Sequence, residues 1–198
     1  MTARTLLAGL VVSLTLAAAA GCSSPAASPV TPAPVANDQA PTATGPTVNC
    51  TIGFDGFTVH GAGYTGHGDC GLKITPTLGN WHVWTTYGAP APFVQFFTTA
   101  GATEVGEITL HSGDGPFIFT SVDLYSSVTK IPWSFTGELG GVTVFTASDT
   151  QPNTFGGFAT IVSPHHGALI DVLRIRLTNP GPPCCANPMG LDNIRVVR

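Results

Sequence analysis

Short apolar and polar alternations recur along the chain from about residue 51 onward, broken every few residues by Gly, Pro, Asn and Asp. Between residues 51 and 60, Ile52 and Phe54 alternate with Asp55, Phe57 and Val59. Runs follow at 81–87, 93–98, 104–111, 116–125, 131–136, 142–147 and 155–162. At 169–178, Leu173, Ile175 and Leu177 share one parity and Arg174 and Arg176 the other. A last run spans 194–197. Period-two patterning between turn residues predicts half-buried strands. No segment repeats apolar residues at i, i+3, i+4 and i+7 over three turns. About ten short strands with no helix predict an all-β domain, a two-sheet sandwich or a barrel, over residues 48–198.

The first residues follow another pattern. Arg4 precedes an apolar stretch at 6–16, and small residues fill 17–21. This is the layout of an export signal, and its core is too short to span a bilayer. Ala19-Ala20-Gly21-Cys22 resembles the lipobox of bacterial lipoproteins, although Ala19 stands where that motif usually has Leu. The resemblance implies residues 1–21 as signal peptide, a lipid on Cys22, and a domain on the extracytoplasmic face of the membrane. Cleavage after Ala18-Ala19-Ala20 is the alternative, giving a secreted protein. Residues 22–47 are rich in Pro, Ala and Thr and bury too little apolar surface to offset ordering, which predicts a disordered, semi-rigid tether.

Composition narrows the function. Charged residues are 9% of the chain and the net charge is −4. No basic patch is present to neutralise phosphates, which argues against a nucleic-acid partner. Beyond Cys22 four cysteines remain: Cys50, Cys70, Cys184 and Cys185. An even number in an exported domain predicts two disulfides. A ring between the neighbours Cys184 and Cys185 is strained, so each is expected to reach back to Cys50 or Cys70.

Phe54-Asp55-Gly56-Phe57, the Phe-x-Phe-x-Ser-Val-Asp-Leu run at 117–124, and the closing Leu191-Asp192-Asn193-Ile194 resemble exported bacterial jelly rolls. These are related in shape to carbohydrate-binding modules and galactose-binding-like domains. The resemblance implies an antiparallel two-sheet jelly-roll β-sandwich and a glycan or envelope component as ligand, with an envelope protein as the alternative partner. It also implies a structural calcium held by Asp192, with Asp55 as partner; the plainer role for Asp192 is to cap a turn.

Trp81, Trp84 and Tyr87 are candidate sugar platforms, set against core packing as the commoner fate of Trp. The six histidines, at 60, 67, 82, 111, 165 and 166, lack metal-site spacing and are expected in solvated loops. No nucleophile elbow, P-loop or dinucleotide motif occurs. The domain glutamates Glu104, Glu107 and Glu138 are poor candidates for a glycosidase pair, so a binding module is favoured over a wall polysaccharide hydrolase.

Overall fold

A computed structural model describes residues 48–86, 91–96, 104–155, 157–181 and 187–198. Among the described residues it contains thirteen strands and no helix. They are β1 (Asn49–Ile52), β2 (His67–Asp69), β3 (Leu72–Leu78), β4 (Trp81–Trp84), β5 (Phe93–Phe96), β6 (Glu104–Ser112) and β7 (Phe117–Ser126). They continue as β8 (Ile131–Leu139), β9 (Val142–Gln151), β10 (Ala159–Val162), β11 (Leu169–Ile170), β12 (Val172–Asn179) and β13 (Met189–Val197). All pairings are antiparallel.

Two sheets form. The first has the order β10-β7-β13-β5-β4, with β1 also on β13 and β11 also on β7; the second has β2-β3-β6-β12-β8-β9. Ile108, Leu110, Phe135, Leu173, Ile175 and Leu177 from the second sheet share one core with Phe117, Phe119, Val122, Leu124, Leu191 and Val196 from the first. The expected antiparallel β-sandwich is therefore the fold. On β6, Gly106 lies beneath the Phe96 ring, and a Cβ there would overlap it.

Several strands differ from the pattern-based expectation. β1 stops at Ile52, because Asp55 and Gly56 turn the chain after the buried Phe54. β2 and β3 pass unnoticed in the pattern, since Pro76 and a run of threonines blur their alternation. The segment at 169–178 divides at Asp171 into β11 and β12, which join different sheets. The closing strand begins five residues earlier than its apolar run.

That closing strand carries an irregularity with consequences for the site. Its pairing with β7 shifts register between Asp192 and Arg195, and Asn193 adopts a left-handed φ of 47°. Asn tolerates this region, and an extra residue in a strand reverses which parity faces inward. Met189 and Leu191 point into the core before the bulge; Ile194 and Val196 do so after it.

The disulfide expectation is corrected here. Cys50 on β1 is bonded to Cys70, which follows β2. β1 and the β2–β3 turn meet at the same end of the sandwich, with Cα atoms 6.1 Å apart, within ordinary disulfide reach. That bond occupies both partners expected for Cys184 and Cys185, which lie outside the described residues. The closed loop spans a sequence separation of 20, far shorter than the expected links to the end of the chain.

Candidate functional site

The two outer faces of the sandwich differ. On the first sheet, outward-facing Phe93, Gln95, Tyr125 and Asp192 are nonetheless buried. Phe158 packs there, 5.2 Å from Phe93 and 5.5 Å from Tyr125 between ring centroids. That part of the face is covered, while Thr160, Val162 and Thr51 elsewhere on it are exposed. The second sheet leaves its outer face open, and its register sets polar side chains in rows.

One row runs across five strands as Thr75, Thr109, Arg174, Thr136 and Thr146. The next holds Glu107, Arg176, Ser134 and Ser148. Arg176 donates from Nη2 and Nε to Oε2 of Glu107 at 2.7 and 2.9 Å. Thr77 donates to Oε1 of Glu107 at 2.8 Å, and Arg174 donates from Nε to Glu138 at 3.0 Å. Glu107 is buried although it lies on an outer face, because these groups surround it. Two guanidinium groups balance two carboxylates. Among the described residues no aromatic ring shares these two rows.

Two of the three glutamates considered for catalysis, Glu107 and Glu138, are thereby engaged by arginines.

A second polar feature surrounds the bulge. Asp192 is 3% exposed, and its pKa is pushed up to about 6, first by burial. The Asn193 backbone N–H lowers it in part, while the charges of Asp55 and Asp123 raise it further. Asn193 donates its backbone N–H to Asp192 Oδ1 at 2.8 Å, so Asp192 does cap the bulge through the adjacent backbone. The Asn193 side chain bridges Asp123 and Asp192 at 3.0 and 3.3 Å. Arg195 is engaged elsewhere, in a two-pronged pair with Asp123 at 3.0 Å per bond. Against that pair, burial raises the Asp123 pKa; the hydrogen bonds from Arg195, Thr160 and Asn193 outweigh it and hold the carboxyl below its usual range. A cavity of about 320 Å³ opens beside the bulge, lined by Thr51, Gly53, Asp55, Gly56, Asp69 and Asn193.

No protein-family model matches the chain, and no curated protein matches it. A carbohydrate-binding module is among the solved structures that match. It is a mutant of a family 29 carbohydrate-binding module, made to probe how that family recognises its ligands; the TM-score is 0.38 at 13% identity, over 76% of this chain and 91% of the module.

The candidate aromatics separate. Trp81 is in the core, 2% exposed, with Nε1 donating to Leu78 O at 2.8 Å and its ring 5.1 Å from Phe96. It is not a sugar platform, because its strand parity points it inward. Trp84 lies on the opposite face, half-buried, with its ring 4.1 Å from His60. Tyr87 lies outside the described residues.

The histidines disperse. His60 accepts or shares hydrogen bonds with Thr85 and Thr86, His67 bonds Tyr64, and His165 stacks on Phe145. Among the described residues, the one group of three potential metal ligands with mutually close atoms is Cys50, Asp69 and Cys70, whose two sulfurs already form the disulfide. Sequence reasoning missed the rows on the second sheet. The Arg174/Arg176 parity was their visible signal, but the partner strands could not be aligned without the register.

Asp55, Asp69, Thr51 and Asn193 line the cavity beside the bulge, and Asp192 is not among its lining residues. Calcium takes oxygen ligands only and favours carboxylates. Asp55 and Asp69 offer carboxylates at the cavity, and the Asp192 carboxyl is raised first by burial and then by the charges of Asp55 and Asp123.

Proposed function

We propose that this protein is a non-catalytic binding module, held at the extracytoplasmic face by a lipid on Cys22, that takes a neutral glycan on the open face of the second sheet. The observation that carries this reading is the pair of rows from Thr75 to Thr146 and from Glu107 to Ser148. Sugar hydroxyls both donate and accept. Guanidinium, carboxylate and hydroxyl groups at strand spacing offer them matching partners. Because each charge is already paired, the side chains are positioned in advance, which lowers the ordering cost of binding. Balanced charge also gives the face no bias toward an anion.

A calcium ion held by Asp192 and Asp55, with oxygens of Thr51, Gly53 and Asn193 around the cavity, would brace the bulge and offset the repulsion that the Asp55 and Asp123 charges exert on Asp192. Its role there is structural. The test of the functional reading is calorimetric titration of neutral polysaccharides against the native chain and against Arg174→Ala. Saturable heat that the variant loses supports it.

A further inference from the structure

Strand β9 ends the second sheet and spans ten residues. Every other strand that ends a sheet order is short: β2 has three residues, β4 and β10 four each. A long edge presents unpaired N–H and C=O groups to any other strand, and proteins blunt such edges with Lys, Pro or bulges. Residues 142–151 contain no Lys, Arg, Pro or Gly, and Asp149 is their one charged residue. A bulge leaves Val144 without a partner on β8, but pairing is regular from Phe145 to Gln151.

The outward groups follow from the ladder. Residues of an antiparallel strand alternate between sending both backbone groups to the neighbour and sending both away. Glu138 turns its carbonyl to Asp171 instead of to β9, and Pro132, of the same parity, has no N–H to give. The partners of that parity on β9, Thr146, Ser148 and Thr150, therefore point their backbone groups away from β8. Accordingly, the Thr150 N–H bonds the Asp149 carboxylate at 2.7 Å. Among the described residues no other part of the chain bonds the backbone of Thr146 or Ser148, and both are exposed. His165 stacks on the buried Phe145 ring, on the inner side of the strand.

We propose that β9 pairs with β9 of a second copy, antiparallel about a two-fold axis at Ala147. A two-fold contact must be self-complementary. Centred there, Thr146 of each copy meets Ser148 of the other, and the outward N–H and C=O groups of both are satisfied. Ala147 meets itself at the closer, non-hydrogen-bonded spacing, which its small side chain fits. Asp149 falls opposite Phe145, so no like charges oppose. A centre at Ser148 would need the Thr150 N–H, which Asp149 holds. A centre at Thr146 would set Ser148 against the bulge at Val144. A strand edge buries too little surface for a permanent dimer, so the pairing is reversible. One consequence rests on the glycan reading. Thr146 ends one polar row and Ser148 the other, so across the axis each row runs on into the partner's other row. A long polysaccharide then crosses two copies and a short oligosaccharide only one.

Sedimentation velocity of the Cys22→Ala chain over a concentration series tests the pairing without any sugar. The mass should rise toward double that of one chain. Thr146→Pro removes only an N–H directed at solvent, which an edge strand tolerates, and should hold the protein monomeric with an unchanged circular dichroism spectrum. Ala147→Cys should link two copies on mild oxidation, because the close pair lies within disulfide reach; Thr143→Cys should not. The cysteine variants decide the matter if Thr146→Pro misfolds. A monomer at every concentration overturns the proposal. So does association that a folded Thr146→Pro retains, or linking by Thr143→Cys as readily as by Ala147→Cys. A dimer that forms as described but binds no polysaccharide would leave the pairing standing and count against the glycan reading alone.

Discussion

Arg176 and Glu107 stand directly opposite each other on β12 and β6, and two guanidinium nitrogens of Arg176 converge on one carboxylate oxygen of Glu107. Thr77 and Arg174 take the other side of the same carboxylate. Glu107 is thus the hub of the polar face, and its charge positions three neighbours. Replacing it with Ala should cost about 1–2 kcal/mol, since the partners left behind are part-exposed and regain water. Urea unfolding of the two proteins measures this. An unchanged midpoint would show that the network holds nothing in place.

The Cys50–Cys70 bond closes a loop of 20 residues. Chain-entropy reasoning gives such a loop about 3 kcal/mol. Peptide mapping without reduction should recover residues 50 and 70 in one linked pair. Cys50→Ser with Cys70→Ser should lower the unfolding free energy by about that amount. Recovery of Cys50 linked to Cys184 or Cys185 would contradict the fold described for β1.

His67 lies among Phe54, Phe57 and Tyr64, with ring centroids 5.3 to 5.8 Å away, and shares a 2.8 Å hydrogen bond with the Tyr64 hydroxyl. Burial depresses its pKa, against the opposing influence of the Asp69 charge and the Gly53 backbone. Burial also pushes the Tyr64 hydroxyl up, keeping it neutral. A histidine whose folded pKa is depressed binds its proton more readily when unfolded. Its contribution is therefore complete above the unfolded value of about 6.5 and is lost as pH falls toward the folded one. The wild-type chain should lose stability relative to His67→Gln between about pH 7 and 5. Parallel stability curves for the two proteins would refute this.

Calcium binding at the bulge makes a different demand. Millimolar calcium should raise the melting temperature of the wild-type chain, because an ion bound only by the folded state stabilises it by mass action. Asp192→Asn should lose that response. Magnesium, which needs a tighter octahedral shell, should substitute poorly. A melting temperature indifferent to calcium in the wild type would leave Asp192 with its capping role alone.

The all-β class and most strands were legible in the sequence because period-two alternation survives wherever one face is buried. Leu173, Ile175 and Leu177 are the plainest case. β2 and β3 escaped because Thr75, Thr77 and Pro76 carry little apolar contrast. The Asn193 bulge beside buried Asp192 was not legible, because a left-handed residue leaves no periodic trace. Trp81 and Trp84 were separable in parity but not in sign, since parity alone cannot say which face looks inward. Pairing of the cysteines depended on where β1 meets the β2–β3 turn, a long-range relationship that spacing does not encode. The polar rows depended on register in the same way.

The glycan reading turns on whether the open face of the second sheet binds sugar. Calorimetric titration of the Cys22→Ala chain with a panel of neutral polysaccharides, repeated with Arg174→Ala and Thr136→Ala at unchanged fold by circular dichroism, tests it most directly. Saturable binding that both variants weaken by about tenfold, or about 1.4 kcal/mol, is the predicted result. No binding to any neutral polysaccharide, or binding that both variants retain in full, would contradict it.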